Sequence, residues 1–190
     1  MKIRILLLSL LAAAATQAQT WNLDASHTSV GFAIKHLAVS TVHGEFDKFD
    51  GKVMGDPKSP ASLNAEFTIQ ATSVDTKSDK RDEHLRGADF FDVAKFPVVT
   101  FKGEKTEVRA GKLVLLGTLT LHGVSKKVEI PFEANGPVVD PWKQTRLGLE
   151  GSFVLKRADY GMDKFAGVVG DEVKVEISAE FTQAAAPAAK

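Results

Sequence analysis

Beyond residue 20, apolar and polar positions alternate with a period of two along most of the chain. Val30, Phe32 and Ile34 alternate with Gly31, Ala33 and Lys35, and Leu63, Ala65, Phe67 and Ile69 with Asn64, Glu66, Thr68 and Gln70. The same beat returns in Val128–Glu133, Arg146–Lys156 and Glu172–Phe181. Successive strand side chains point to opposite faces, so each run predicts a strand with one buried and one wet face. Leu113–Leu121 is apolar or Thr on both faces, which predicts another element against its outer side. Turn signals separate the runs: Gly55-Asp56-Pro57, Ala110-Gly111, His122-Gly123, Asn135-Gly136-Pro137 and Val169-Gly170-Asp171. Many strands at short spacing predict an all-β, closed or nearly closed antiparallel sheet. Ser78–Phe96 breaks the period. Its helix formers, interrupted at Gly87 and stopped by Pro97, predict a helix, a turn and a second short helix covering part of the barrel.

The N-terminus sets the expected compartment. Lys2 and Arg4 precede the apolar run Ile5–Ala15, and Thr16-Gln17-Ala18 places small residues where a signal peptidase cuts. That layout predicts a cleaved secretory signal over 1–18. The run is shorter than the ~20 residues that span a bilayer. The domain then occupies 19–182, and an Ala/Pro-rich, disordered tail is expected over 183–190. The mature chain would carry 22 basic against 24 acidic side chains, with no basic cluster for nucleic acid. Cysteine is absent from the whole chain, which removes thiol nucleophiles and thiolate metal sites.

Candidate chemistry is sparse. The sequence has no G-x-S-x-G elbow, G-x-G-x-x-G, P-loop or H-E-x-x-H. His27, His36, His43, His84 and His122 show no ligand spacing, so no metal site is expected. His43-Gly44 and His122-Gly123 read as tight turns, with structural histidines. An Asp82–His84 pair is poorly placed for acid–base work, because i and i+2 on a helix diverge. Arg81, His84 and Arg86 could instead meet a polar head group at a barrel mouth. The 12 phenylalanines outnumber Tyr (1) and Trp (2) and fall mostly on apolar strand faces. A small barrel is just wide enough either to fill with such side chains or to hold one small ligand, and alternation does not choose between the two.

A set of short motifs does choose. In order along the chain they are Asp24-x-x-His27-Thr28-Ser29-Val30-x-Phe32, His36, and Val42-x-Gly44-x-Phe46. Arg81-Asp82-x-His84-Leu85, Asp89-Phe90-Phe91-Asp92 and Phe96-Pro97-x-x-x-Phe101 follow. Gly117-x-Leu119-Thr120-x-His122-Gly123-Val124, Arg157-x-Asp159-Tyr160-Gly161 and Val169-Gly170-Asp171-Glu172-Val173 complete the series. Together they resemble the YceI-like family of polyisoprenoid-binding, lipocalin-like proteins. The resemblance implies an eight-stranded antiparallel barrel with a short helical insert and an apolar cavity for an isoprenoid chain, a quinone tail or polyprenyl phosphate. It also implies a periplasmic location. No cofactor is expected. Some members resemble fatty-acid-amide carriers. From alternation and motif membership, the expected wall is Phe32, Ile34, Phe67, Ile69, Phe101, Leu119 and Phe153, with Phe90 and Phe91 from the insert. Arg81, His84 and His36 are the expected head-group contacts, and Arg157–Asp159 a structural pair. An enzyme acting on a lipid or quinone through His36, Asp82, His84 or Asp159 stands as the alternative. A homodimer and transient membrane contact stand as open partner readings.

Overall fold

A computed structural model describes residues 19–183 of the 190. The expected signal peptide (1–18) and residues 184–190 of the expected tail lie outside the described residues. Ten strands and one helix follow in order: β1 (Thr20–His36), β2 (Ser40–Phe46), β3 (Phe49–Met54), β4 (Asn64–Gln70), β5 (Val74–Asp75), α1 (Asp79–Arg86), β6 (Val98–Arg109), β7 (Lys112–Leu121), β8 (Val124–Val139), β9 (Thr145–Lys156) and β10 (Val169–Gln183). Every ladder between them is antiparallel. β1, β3, β4, β6, β7, β8, β9 and β10 form a ring that β1 closes by pairing with β10. Closure leaves no free edge among these eight strands.

β1 is long enough to serve two neighbours on one side. Thr20–Asn22 pairs with β3, and Gly31–His36 pairs with β2, which carries the short β5 on its outer edge. On its other side, β1 breaks register with β10 between Asp24 and Ser29. Residues 25–28 bulge there around Asp24. Its Oδ1 accepts from the Ser26 amide and hydroxyl, and Thr28 Oγ1 donates to the Asp24 carbonyl and accepts from the Glu180 amide. A bulge bends its strand.

The interior is packed at one end and half-buried at the other. Where β1 and β9 begin and β10 ends, Trp21 is 1 % exposed and Val53, Leu147 and Phe181 are 0 % exposed. Toward the opposite end, the inward residues Phe32, Ile34, Phe153, Leu155, Val173 and Val175 are only half-buried.

Several local expectations are corrected. Only α1 is helical in Ser78–Phe96; after Gly87 the chain runs through turns, Phe91 and Val93 donating to the Leu85 and Arg86 carbonyls. His43-Gly44 lies within β2 and is no turn. Asn135-Gly136-Pro137 is an irregularity inside β8, while the reversal falls at Asp140–Gln144. Val169-Gly170-Asp171 opens β10. Among the described residues, the expected cover over the outer face of β7 is not seen: outward Val114 is flanked by Glu107 and Pro131, and Leu116, Thr118 and Thr120 stay part-exposed. Gln183, read as tail, pairs with Thr145.

Candidate functional site: an apolar half-barrel

The half-buried end encloses a cavity of about 420 Å³. Its mouth lies where β1 ends, β10 begins and α1 approaches the rim, with Lys35, His36, Arg81, His84, Phe165 and Val169 in the lining. Deeper, the lining is aliphatic and aromatic and reaches Leu119, Ile130 and Ala179.

Glycines keep this space open. Phe32 faces Gly44 across the β1–β2 ladder, and Phe67 faces Gly51 across β3–β4. A methyl group on Gly44 would lie 2.7 Å from Phe32 Cε1, one on Gly51 2.9 Å from Phe67 Cδ1, and one on Gly117 2.6 Å from Phe101 Cζ. Each ring thus lies close beside a glycine, where a side chain would collide with it. Strand glycines commonly mark such close approaches. Phe32 and Phe46 (5.7 Å) and Phe46 and Phe91 (5.6 Å) continue the aromatic wall.

All twelve residues singled out from sequence border this one cavity: Phe32, Ile34, His36, Phe67, Ile69, Arg81, His84, Phe90, Phe91, Phe101, Leu119 and Phe153. The structure adds Phe46, Leu115, Phe165, Val173 and Val175. Alternation could have supplied Val173 and Val175. Phe165 sits in an aperiodic loop and carried no sequence signal. Its ring stacks on Phe90 (5.8 Å, 13°), and both rings meet the His84 imidazole edge-on.

The polar residues of the motifs mostly hold the scaffold. Arg81 donates from Nε to Thr76 Oγ1 and from Nη2 to the Thr76 carbonyl, both at 2.7 Å. Buried Asp82 accepts from the Thr76 amide (2.9 Å) and hydroxyl (2.5 Å). Together they fix Thr76, in the link between β5 and α1. His84 Nε2 lies 3.2 Å from Asp89 Oδ2. His122 Nδ1 lies 2.9 Å from the Tyr160 carbonyl, and burial pushes the Tyr160 phenol above its ordinary pKa.

The expected Arg157–Asp159 pair does not form. Asp159 faces Lys126 at 3.5 Å. Arg157, 4 % exposed, donates to four main-chain carbonyls instead: Met162, Lys164 (2.8 Å), Val169 (3.0 Å) and Gly170 (2.8 Å). A guanidinium's rigid donor fork suits several acceptors at once. It gathers both ends of the loop that carries Phe165.

At the packed end, the Ser26 hydroxyl, then His27 and Arg146, hold the Asp24 carboxyl well below the usual range. Arg146 also binds Asp140 (2.6 Å) and Glu180. Asp24, His27 and Glu180 converge like metal ligands, but the Arg146 guanidinium already supplies the cation. Lys77 does the same between Glu45 (2.6 Å) and Asp75 (2.8 Å), in the cluster these two form with Asp47.

The chain is 38 % identical over 157 residues to a UPF0312 protein of Pseudomonas aeruginosa, covering 83 % of this chain and 82 % of the relative. It is equally identical over 160 residues to Protein YceI of Salmonella newport, covering 84 % of each. Among solved structures, the Campylobacter jejuni YceI protein superposes with a TM-score of 0.69 at 30 % identity, over 80 % of this chain and 90 % of that one. A polyisoprenoid binding domain from Saccharophagus degradans, implicated in plant cell wall breakdown, shares the fold. Its TM-score is 0.68 at 20 % identity, over 86 % of this chain and 98 % of that one. Residues 21–181 match the model of the YceI-like domain, and the chain belongs to that family.

Proposed function

We propose that this protein binds a long-chain isoprenoid lipid by its tail, as an exported periplasmic carrier. The observation that carries the reading is the half-hollow barrel: an apolar lumen of about 420 Å³, open at one end and packed solid at the other. The polyisoprenoid-binding neighbour with the same fold is in keeping with it. A dry cavity of about 150 Å³ holds one benzene ring. The lumen therefore takes roughly three such groups, or about three five-carbon units in this conformation. Burying one unit from water is worth roughly 3–4 kcal/mol at ~0.8 per CH2. The lipid leaves a membrane, however, so most of that gain cancels and selectivity rests on fit and on the head. Arg81, exposed at the mouth, makes no ion pair among the described residues. Its charge favours an oxygen-bearing head, as in a quinone or a polyprenyl phosphate.

Binding fits the geometry better than catalysis. Of His36, Asp82, His84 and Asp159, only the two histidines border the lumen. Asp82 is committed to Thr76, and Asp159 faces Lys126. A fatty-acid or amide ligand would use the same lumen and is the alternative outcome of the test. Native mass spectrometry of protein recovered from the periplasm reads both compartment and ligand. The expected species begins at Gln19 and carries one hydrophobic adduct, removed by organic extraction and restored by a fifteen-carbon isoprenoid from detergent micelles. A chain that neither carries nor takes up such a lipid would overturn the reading.

A further inference from the structure

Two loops meet at the mouth and leave apolar side chains in the open. The β1–β2 turn presents Leu37 (52 % exposed) and Val39 (86 %), and the loop before β10 presents Phe165 (45 %) and Val168 (43 %). The Leu37 amide donates to the Val168 carbonyl at 2.7 Å, so the loops form one rim. Leu37, Ala38 and Phe165 all adopt positive φ (51°, 56° and 57°), tight reversals that thrust the tips outward. Tight, exposed reversals do not by themselves need apolar residues; turns favour Gly, Asn and Asp.

We propose that this rim is a docking surface for the face of a neutral phospholipid bilayer; the inference rests on the lipid-tail reading of the lumen. Continuity is the first support. Phe165 and Val168 line the cavity and are also exposed outside, so the lumen wall and the rim are one apolar surface. A tail could pass from bilayer to barrel along it without crossing water. Charge is the second. In residues 35–41 and 163–171, Lys35 and Lys164 are balanced by Asp163 and Asp171. That favours an uncharged apolar layer over a strongly acidic or basic partner. The third is contrast. Val138, Val139 and Trp142 are also exposed, but they belong to the β8–β9 reversal beside the packed end, away from the lumen. Clusters of exposed apolar side chains mark interaction sites, and this one sits where the cargo would leave.

Co-flotation with phosphatidylcholine vesicles tests the proposal. The purified protein is expected to float. Leu37→Asn with Val39→Asp should lower the bound fraction about tenfold or more, since apolar burial drives interfacial binding. Asn tolerates the left-handed backbone at 37, and neither residue borders the lumen. Val39→Trp should bind more tightly, because Trp favours the interface. Trp142→Ser should bind as the unaltered protein does. Raising salt from about 0.1 to 1 M should leave binding in place, although it screens surface charge. No flotation, full flotation of the Leu37/Val39 variant, or loss on Trp142→Ser would each overturn the proposal. Isoprenoid uptake from micelles, measured alongside, should be unchanged in every variant. Failure of uptake with vesicle binding intact would count against the lipid-tail reading alone.

Discussion

Gly44→Ala should narrow the lumen without touching a ligand directly. Gly44 faces inward on β2, opposite Phe32, without positive φ. A methyl there would lie 2.7 Å from Phe32 Cε1 and 2.9 Å from Thr76 Cγ2, well inside van der Waals contact. Both groups are side-chain atoms, so the main chain can stay and the ring must swing, with the lumen the space beside it. A ring occupies up to about 150 Å³ of cavity, roughly a third of the 420 Å³ available. The variant should therefore lose about one five-carbon unit of tail, roughly 3–4 kcal/mol of burial measured from water. Overpacking should lower stability by about 1–3 kcal/mol. The assay is titration with fifteen-, ten- and five-carbon isoprenoid alcohols, alongside urea unfolding. Affinity for the fifteen-carbon chain should fall on the order of a hundredfold or more, with the five-carbon ligand little affected. Gly148→Ala is the control, because its methyl would meet nothing closer than 3.6 Å. A folded Gly44→Ala protein that binds the fifteen-carbon chain normally would refute the reasoning.

Trp21→Ala and Phe181→Ala, at the packed end, should each lower stability by about 3–5 kcal/mol. Phe153→Ala, on the half-buried wall, should lower it less and weaken tail binding more; urea unfolding and ligand titration separate the two effects. Arg157→Met strips donors from four carbonyls and should cost about 2–4 kcal/mol. The same change should speed hydrogen exchange across residues 162–170 before the rest of the barrel. For Asp24, whose folded pKa is depressed, the stabilisation is present above its unfolded value near 3.9 and is lost as pH falls below it. Urea midpoints should therefore drop from about pH 5 downward, and Asp24→Asn should be less stable at neutral pH with a flatter acid limb.

The strand faces were legible because alternation records burial directly. Phe32, Phe67, Phe101 and Phe153 could be assigned inward from their neighbours alone. What alternation could not record was whether the space between them was full. That depends on where each ring lies, and hence on cross-strand partners such as Gly44 and Gly51, which come from register. The polar motif residues misled for a related reason. Arg157 and Asp159 look like an ion pair at i, i+2, but the turn after β9 sends the guanidinium inward to carbonyls and leaves the carboxylate outside. Asn135-Gly136-Pro137 has turn composition yet sits within a strand, because an irregularity and a turn draw on the same residues. Phe165 was invisible, since an aperiodic loop carries no face. The D-x-x-H-T-S motif, read only as part of the family series, builds a bulge: Asp24 and Thr28 satisfy main-chain groups that the broken register frees.

The central claim is that the open half of the barrel holds an isoprenoid tail. A crystal structure of the protein loaded with a fifteen-carbon isoprenoid tests it most directly. The account predicts continuous elongated density from the rim at Phe165, between Phe32 and Phe153, toward Leu119 and Ile130, with the Trp21–Phe181 end unchanged. A lumen closed by its own side chains, with the lipid outside the barrel or absent, would contradict it.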